Sequence, residues 1–242
     1  MEHRCVVIVY QVGAGDDPVR YRGLAHLTEH MMFAGSPRAP EGYFAALEPI
    51  GGRSLNASTS LDQTKYCAEV PAASLSRALY VEADRMGFLL ASINEEQLEI
   101  QRRVVLHEYH ERGGGGPGSN IALARVEALY PEGHPYRRIY EDPDDIRAIR
   151  LDHVRWFFQR YYTPANATLA VAGHFDTAEL RESIERYFGQ LRGSEAPATT
   201  SRRVPPLQES ENIDVDEPLS RESISYAWHP PAGVEEGDAA LD

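Results

Sequence analysis

Apolar and polar positions along this chain fall into two periods, and the elements follow from them. Residues 5–12, CVVIVYQV, run almost unbroken in β-branched and apolar types and predict a buried strand. Two further strand-like runs, SLNASTS at 54–60 and TKYCAEV at 64–70, are joined by the polar turn LDQ. The second sets Tyr66, Ala68 and Val70 against Lys65, Cys67 and Glu69, which predicts one buried and one wetter face. ATLAVAG at 167–173 predicts another buried strand. Helical spacing covers Tyr21 to Ala34, closed by Gly35 and Pro37, and a short stretch from Pro40 to Leu47. It returns over Ala72 to Leu90, then over 93–112 with Asn94 as the cap and Gln97 three residues on. Residues 120–130, 151–162 and 178–191 complete the helical segments.

The helix over 93–112 stops at GGGGPGS, which lacks the lysine and Ser/Thr of a phosphate-binding loop and follows a helix instead of a strand. It reads as a loop. Residues 193–218 are rich in Pro, Ser, Thr and charge and read as a linker. ESISYAWHP at 222–230 reads as a new strand. The division expected is therefore a domain over 1–192, a linker over 193–218 and the start of a second, truncated domain over 219–242.

Composition narrows the partners. The chain has 24 Lys+Arg against 37 Asp+Glu, a net charge of -13, which repels nucleic acid and anionic lipid at long range. Its apolar runs are strand-sized, so no membrane span is expected, and no signal sequence precedes the first strand to indicate a compartment. Cys5 and Cys67 sit in strand-like runs, where buried free thiols are the ordinary explanation.

The candidate chemistry lies in GLAHLTEHMMFAGS at 23–36. On a helix His26, Glu29 and His30 share a face, leaving Leu24, Leu27, Met31 and Met32 to pack elsewhere. Two imidazoles one turn apart can hold adjacent corners of a tetrahedral zinc ion, with Glu29 beside a bound water. A lone histidine is better read as a satisfied core or surface residue, but three such groups on one stripe resist that reading. The order His-x-x-Glu-His is the signature of one metallopeptidase class.

A third ligand is then needed. The helix over 93–112 carries Leu98, Gln101, Val104, Val105 and Glu108 on one stripe, placing a carboxylate on the face predicted to be buried. A buried carboxylate is paired, hydrogen-bonded or metal-bound, or it neutralises. Glu108 is the candidate, with a salt bridge to Arg112 as its plain structural explanation. His107, His110 and Cys67 compete for the role.

These motifs resemble the inverzincin metallopeptidases, the family of pitrilysin, insulin-degrading enzyme and mitochondrial processing peptidase. The resemblance continues through IGGRSLNASTSLDQTKY, RRVVLHEY, GHPYRRIYEDPDDI and YYTPANATLAVAGHFD, from about Val9 to Leu191. It implies one zinc ion held by His26, His30 and Glu108, with Glu29 as general base. It also implies an edge strand in which Asn56 and Ala57 hold an extended peptide substrate by strand addition. Gln101 stands where the family usually has a glutamate that supports the metal site from behind its ligands. Members of the family enclose substrate with a second homologous domain or subunit, and this chain resembles their N-terminal, metal-bearing portion.

The expected fold is α+β: a mixed, largely antiparallel sheet with helices packed on one face. The expected activity is that of a zinc metalloendopeptidase. Two rivals are a non-catalytic peptide-binding or structural subunit, which Gln101 favours, and a small-molecule hydrolase resembling S-ribosylhomocysteinase, which would use Cys67 as the third ligand. Sequons at Asn56 and Asn166 fall inside the quoted motifs and are read as chance.

Overall fold

The computed structural model describes residues 2–193, 195–198 and 202–229. Strand β1 (His3–Tyr10) buries Val6, Ile8 and Tyr10 on one face. The chain then enters α1 (Leu24–Met31) and α2 (Tyr43–Leu47), returns through β2 (Arg53–Thr59) and β3 (Thr64–Pro71), and runs into α3 (Leu75–Phe88) and α4 (Glu95–Glu111). Helices α5 (Ser119–Leu129), α6 (Pro143–Ala148) and α7 (Leu151–Tyr161), strand β4 (Ala167–Ala172) and α8 (Thr177–Phe188) follow.

The strands form one sheet in the order β2-β3-β1-β4, and every pairing is antiparallel. Tyr66, Ala68 and Val70 of β3 are buried with Val6, Ile8 and Tyr10 of β1, so the helices pack on this face. The alternation read from the sequence of β3 is thus the actual one. Cys5 and Cys67 point to the other face and are half-buried free thiols, less enclosed than expected, because their face of the sheet is the wetter one.

Helix α1 lies between α4 and α7 with β2 beside it. Its Leu24, Leu27 and Met31 recur at helical spacing and are fully buried, each contributing roughly 1.5–3 kcal/mol by leaving water. Because α1 is enclosed, its His26 and Glu29 take their partners from within the protein. Its start is fixed by Asp17, whose carboxyl oxygens accept from the Gly23 N–H at 2.7 Å and the Ala25 N–H at 2.8 Å. Gly23 itself has φ of 92°, and a Cβ there would lie 2.9 Å from Ile146 Cγ1.

Helix α4 begins as its sequence predicts: Asn94 accepts from the Gln97 N–H at 3.0 Å, and Gln97 accepts from the Asn94 N–H at 3.0 Å. Its inner stripe is Leu98, Gln101, Val105 and Glu108, with Leu98 and Val105 fully buried. Val104, expected in that stripe, is exposed, because it sits a full helical step of about 100° round from Val105.

Two further expectations change. Helix α6 lies in a stretch read only for its motif, and its start is capped by the Asp142 carboxylate, which accepts from the Asp144 N–H at 2.8 Å. Among the described residues, 222–229 form no strand, and Ile224, Tyr226 and Trp228 are exposed. Pro230 and the rest of the segment to residue 242 lie outside the described residues, as do positions 194 and 199–201 of the stretch read as a linker.

Candidate metal centre

The enclosed helix α1 presents His26, Glu29 and His30 on the side away from its apolar stripe, and α4 brings Glu108 across to meet them. The Nε2 atoms of His26 and His30 stand 3.2 Å apart. Glu108 places Oε2 3.6 Å from His26 Nε2 and Oε1 3.4 Å from His30 Nε2. Ligands about 2.0–2.1 Å from a tetrahedral zinc ion are separated by roughly 3.3–3.4 Å. The two imidazole nitrogens stand close to that spacing, while Glu108 turns a different oxygen toward each of them. One ligand atom from each residue lies within 4.8 Å of the others. The donor set, two imidazoles and a carboxylate, suits the same ion.

Both imidazoles turn Nε2 inward and are held from behind through Nδ1. His26 Nδ1 lies 2.7 Å from Glu141 Oε1, and His30 Nδ1 lies 3.3 Å from Gln101 Oε1. Glu29 accepts a hydrogen bond from the Thr59 hydroxyl, at the end of β2, and its backbone carbonyl accepts from the Tyr66 hydroxyl at 3.4 Å. Arg112, one turn beyond Glu108, donates to Glu108 Oε2 at 2.7 Å, so the structural explanation weighed for Glu108 is present alongside its approach to the histidines.

Electrostatics follows the burial. Burial pulls the His26 imidazole down, but the hydrogen-bonded Glu141 carboxylate, with Glu29 and Glu108 nearby, carries it above the ordinary histidine range. His30 goes the other way, lowered by burial and by the neighbouring His26, with Glu108 opposing. Burial raises the Glu29 carboxyl above its ordinary value, while the Thr59 hydrogen bond acts against it. A carboxylate poised upward beside inward-facing imidazoles has the properties of a proton acceptor.

The other candidates lie elsewhere. His107 is exposed and pairs with Glu111, His110 is exposed, and Cys67 belongs to the sheet face opposite the helices. Among the described residues, His26, His30 and Glu108 form the group of histidine, cysteine and acidic side chains whose ligand atoms converge. Asn56 and Ala57 lie on β2, paired opposite Cys67 and Tyr66, and β2 is an edge of the described sheet. Gln101 is placed against His30. Glu141 and Thr59 escaped the sequence reading as site residues. Glu141 lies 115 positions from His26, and no local pattern connects them.

Comparison with known proteins agrees with this architecture. The profile of the insulinase peptidase family, M16, matches residues 2–113, and that of the peptidase M16 inactive domain matches residues 148–242. Together they cover most of the chain, which belongs to peptidase family M16. The zinc protease PqqE of Helicobacter pylori is 27% identical over 98% of this chain and 54% of its own length. A probable mitochondrial-processing peptidase subunit beta of Arabidopsis thaliana is 30% identical over 88% of this chain and 41% of its own. This chain thus spans about half or less of the length of these relatives. The crystal structure of a protease from Helicobacter pylori superposes with a TM-score of 0.74 at 27% identity, covering 84% of this chain and 49% of that one. His26, Glu29, His30 and Glu108 all fall inside the insulinase match.

Proposed function

We propose that this chain bears the metal site of a zinc-dependent endopeptidase that cleaves peptides bound in extended form. The observation that carries the reading is the convergence of His26 Nε2, His30 Nε2 and the Glu108 carboxylate, ligand atoms all within 4.8 Å of one another, with Glu29 on the same helix face as the histidines. One zinc ion there would supply a Lewis acid that polarises a carbonyl and acidifies water. Glu29 takes a proton from the attacking water and returns it to the leaving amine, and Thr59 orients its carboxylate. The edge of β2, with Asn56 and Ala57, pairs with the backbone of an extended peptide, and its end at Thr59 brings that peptide to Glu29. The net charge of -13 favours basic substrates. A second homologous domain or subunit closes the chamber, as half-length coverage of the relatives suggests.

The other reading, a non-catalytic peptide-binding subunit, has Gln101 in its favour, since an amide gives His30 no anionic support. Zinc content and cleavage of a fluorogenic peptide separate the two. The enzyme reading expects near-stoichiometric zinc in wild type and in Glu29→Gln, its loss in Glu108→Ala, and turnover in wild type only. Stoichiometric zinc with no turnover against a broad peptide library would move the subunit reading ahead. No zinc in wild type would overturn the site itself.

A further inference from the structure

The two inward-facing histidines are not supported alike. His30 is backed by the neutral amide of Gln101 at 3.3 Å, whereas His26 is backed by the carboxylate of Glu141 at 2.7 Å. An imidazole whose outer nitrogen donates to a carboxylate is fixed in tautomer and ring angle and becomes a better ligand. Here that support falls on the histidine nearer the start of α1.

The placement of Glu141 is built, not incidental. Arg22, immediately before the α1 cap Gly23, donates from Nη2 to Asp142 Oδ2 at 2.6 Å and from Nε to Asp145 Oδ2 at 2.8 Å. Ile146 is fully buried and lies over Gly23, and a Cβ at Gly23 would come within 3.6 Å of Glu141 Cγ. Asp142 and Asp145 are therefore clamped to the start of α1, and the Glu141 side chain passes over the cap residue Gly23, which has no side chain. The reach from there to His26 is one turn.

We propose that Glu141 is a positioning residue for the metal centre: it holds His26 with Nε2 presented inward and supplies from the α5–α6 connection the anionic support that Gln101 does not give His30. The inference rests on the metal reading above, and the experiment separates the two failures. Zinc affinity is measured by competition with a chromogenic chelator for wild type, Glu141→Gln, Glu141→Ala, Gln101→Glu and the double variant Glu141→Gln/Gln101→Glu. Cobalt(II) absorption reports ligand geometry, and circular dichroism of the metal-free proteins reports folding.

Removing an outer partner of this kind costs about 10–100-fold in metal affinity. Glu141→Ala is expected to weaken zinc binding in that range and to alter the cobalt spectrum. Glu141→Gln, which keeps the acceptor but removes the charge, is expected to lose less. Gln101→Glu in the Glu141→Gln background is expected to recover most of that loss, which a merely structural ion pair would not produce. Should Glu141→Ala fail to fold, the Glu141→Gln pair with and without Gln101→Glu decides. Zinc affinity within twofold of wild type in folded Glu141 variants overturns this inference and leaves the metal site standing. No zinc binding by wild type overturns both.

Discussion

The Thr59 hydroxyl donates to the Glu29 carboxylate at 2.5 Å, tying the end of edge strand β2 to the middle of α1. This single bond connects the strand proposed to hold the peptide with the group proposed to move the proton. Thr59→Val keeps the shape and removes the donor. A hydrogen bond to a charged group contributes roughly 1.5–3 kcal/mol, so kcat is expected to fall about 10- to 100-fold while zinc content is unchanged. Steady-state kinetics alongside elemental analysis checks it, and unchanged kcat would remove Thr59 from the site.

Asp17 ties pH to the stability of α1. Burial pushes its carboxyl from the ordinary 3.8 up to about 8, against the opposing bonds from the Ala25 and Gly23 N–H groups. Between those values the native state holds a proton that the unfolded chain has released. The stability linked to this group is therefore full below the unfolded value and is lost as pH rises through about 8. Asp17→Asn, which cannot titrate, is expected to show a flatter dependence of its urea midpoint between pH 5 and pH 8 than wild type. Parallel curves would contradict the assignment.

Arg85 and Glu82 form a buried pair on α3, with Arg85 Nε donating to Glu82 Oε2 at 2.7 Å. Tyr43 donates to Glu82 Oε1 at 2.7 Å, and the guanidinium lies 4.2 Å from the ring centroids of both Tyr43 and Tyr66. Since Tyr66 also donates to the Glu29 carbonyl, this network underlies the site. Glu82→Leu leaves a buried cation unpaired and is expected to cost about 3–5 kcal/mol, whereas Glu82→Leu/Arg85→Met recovers most of it. Urea denaturation of both variants measures the difference, and additive losses would argue against a coupled pair.

Gly23 is required by both backbone and space. An L-residue at its φ of 92° costs about 1–2 kcal/mol, and its Cβ would also press on Ile146. Gly23→Ala is expected to lower thermal stability by that amount or more and to weaken zinc binding by displacing the clamp around Glu141. A calorimetric midpoint equal to that of wild type would show that the clamp yields freely.

Much of this molecule is written locally. The alternation of β3, the Asn94–Gln97 cap of α4, and the His26, Glu29, His30 stripe are readable because side-chain period and capping chemistry act over a few residues. Glu108 was reachable by the same logic, since Leu98, Val105 and Glu108 share a helix face, although Val104 shows that the width of the face is set by the neighbours and not by the spacing. Residues 222–229 show the opposite limit: strand propensity depends on what the segment packs against, and these residues lie in no strand among the described residues.

The sequence by itself determined which side chains can chelate, which helices carry them and which residues face the core, because those properties depend on residue type and period. Only the tertiary structure decided that Glu141 stands behind His26, that Thr59 reaches Glu29, and that Arg22 and Ile146 clamp the intervening loop. Such contacts join residues tens to more than a hundred positions apart, and the energy that selects them comes from packing and charge pairing between elements, which no local pattern records.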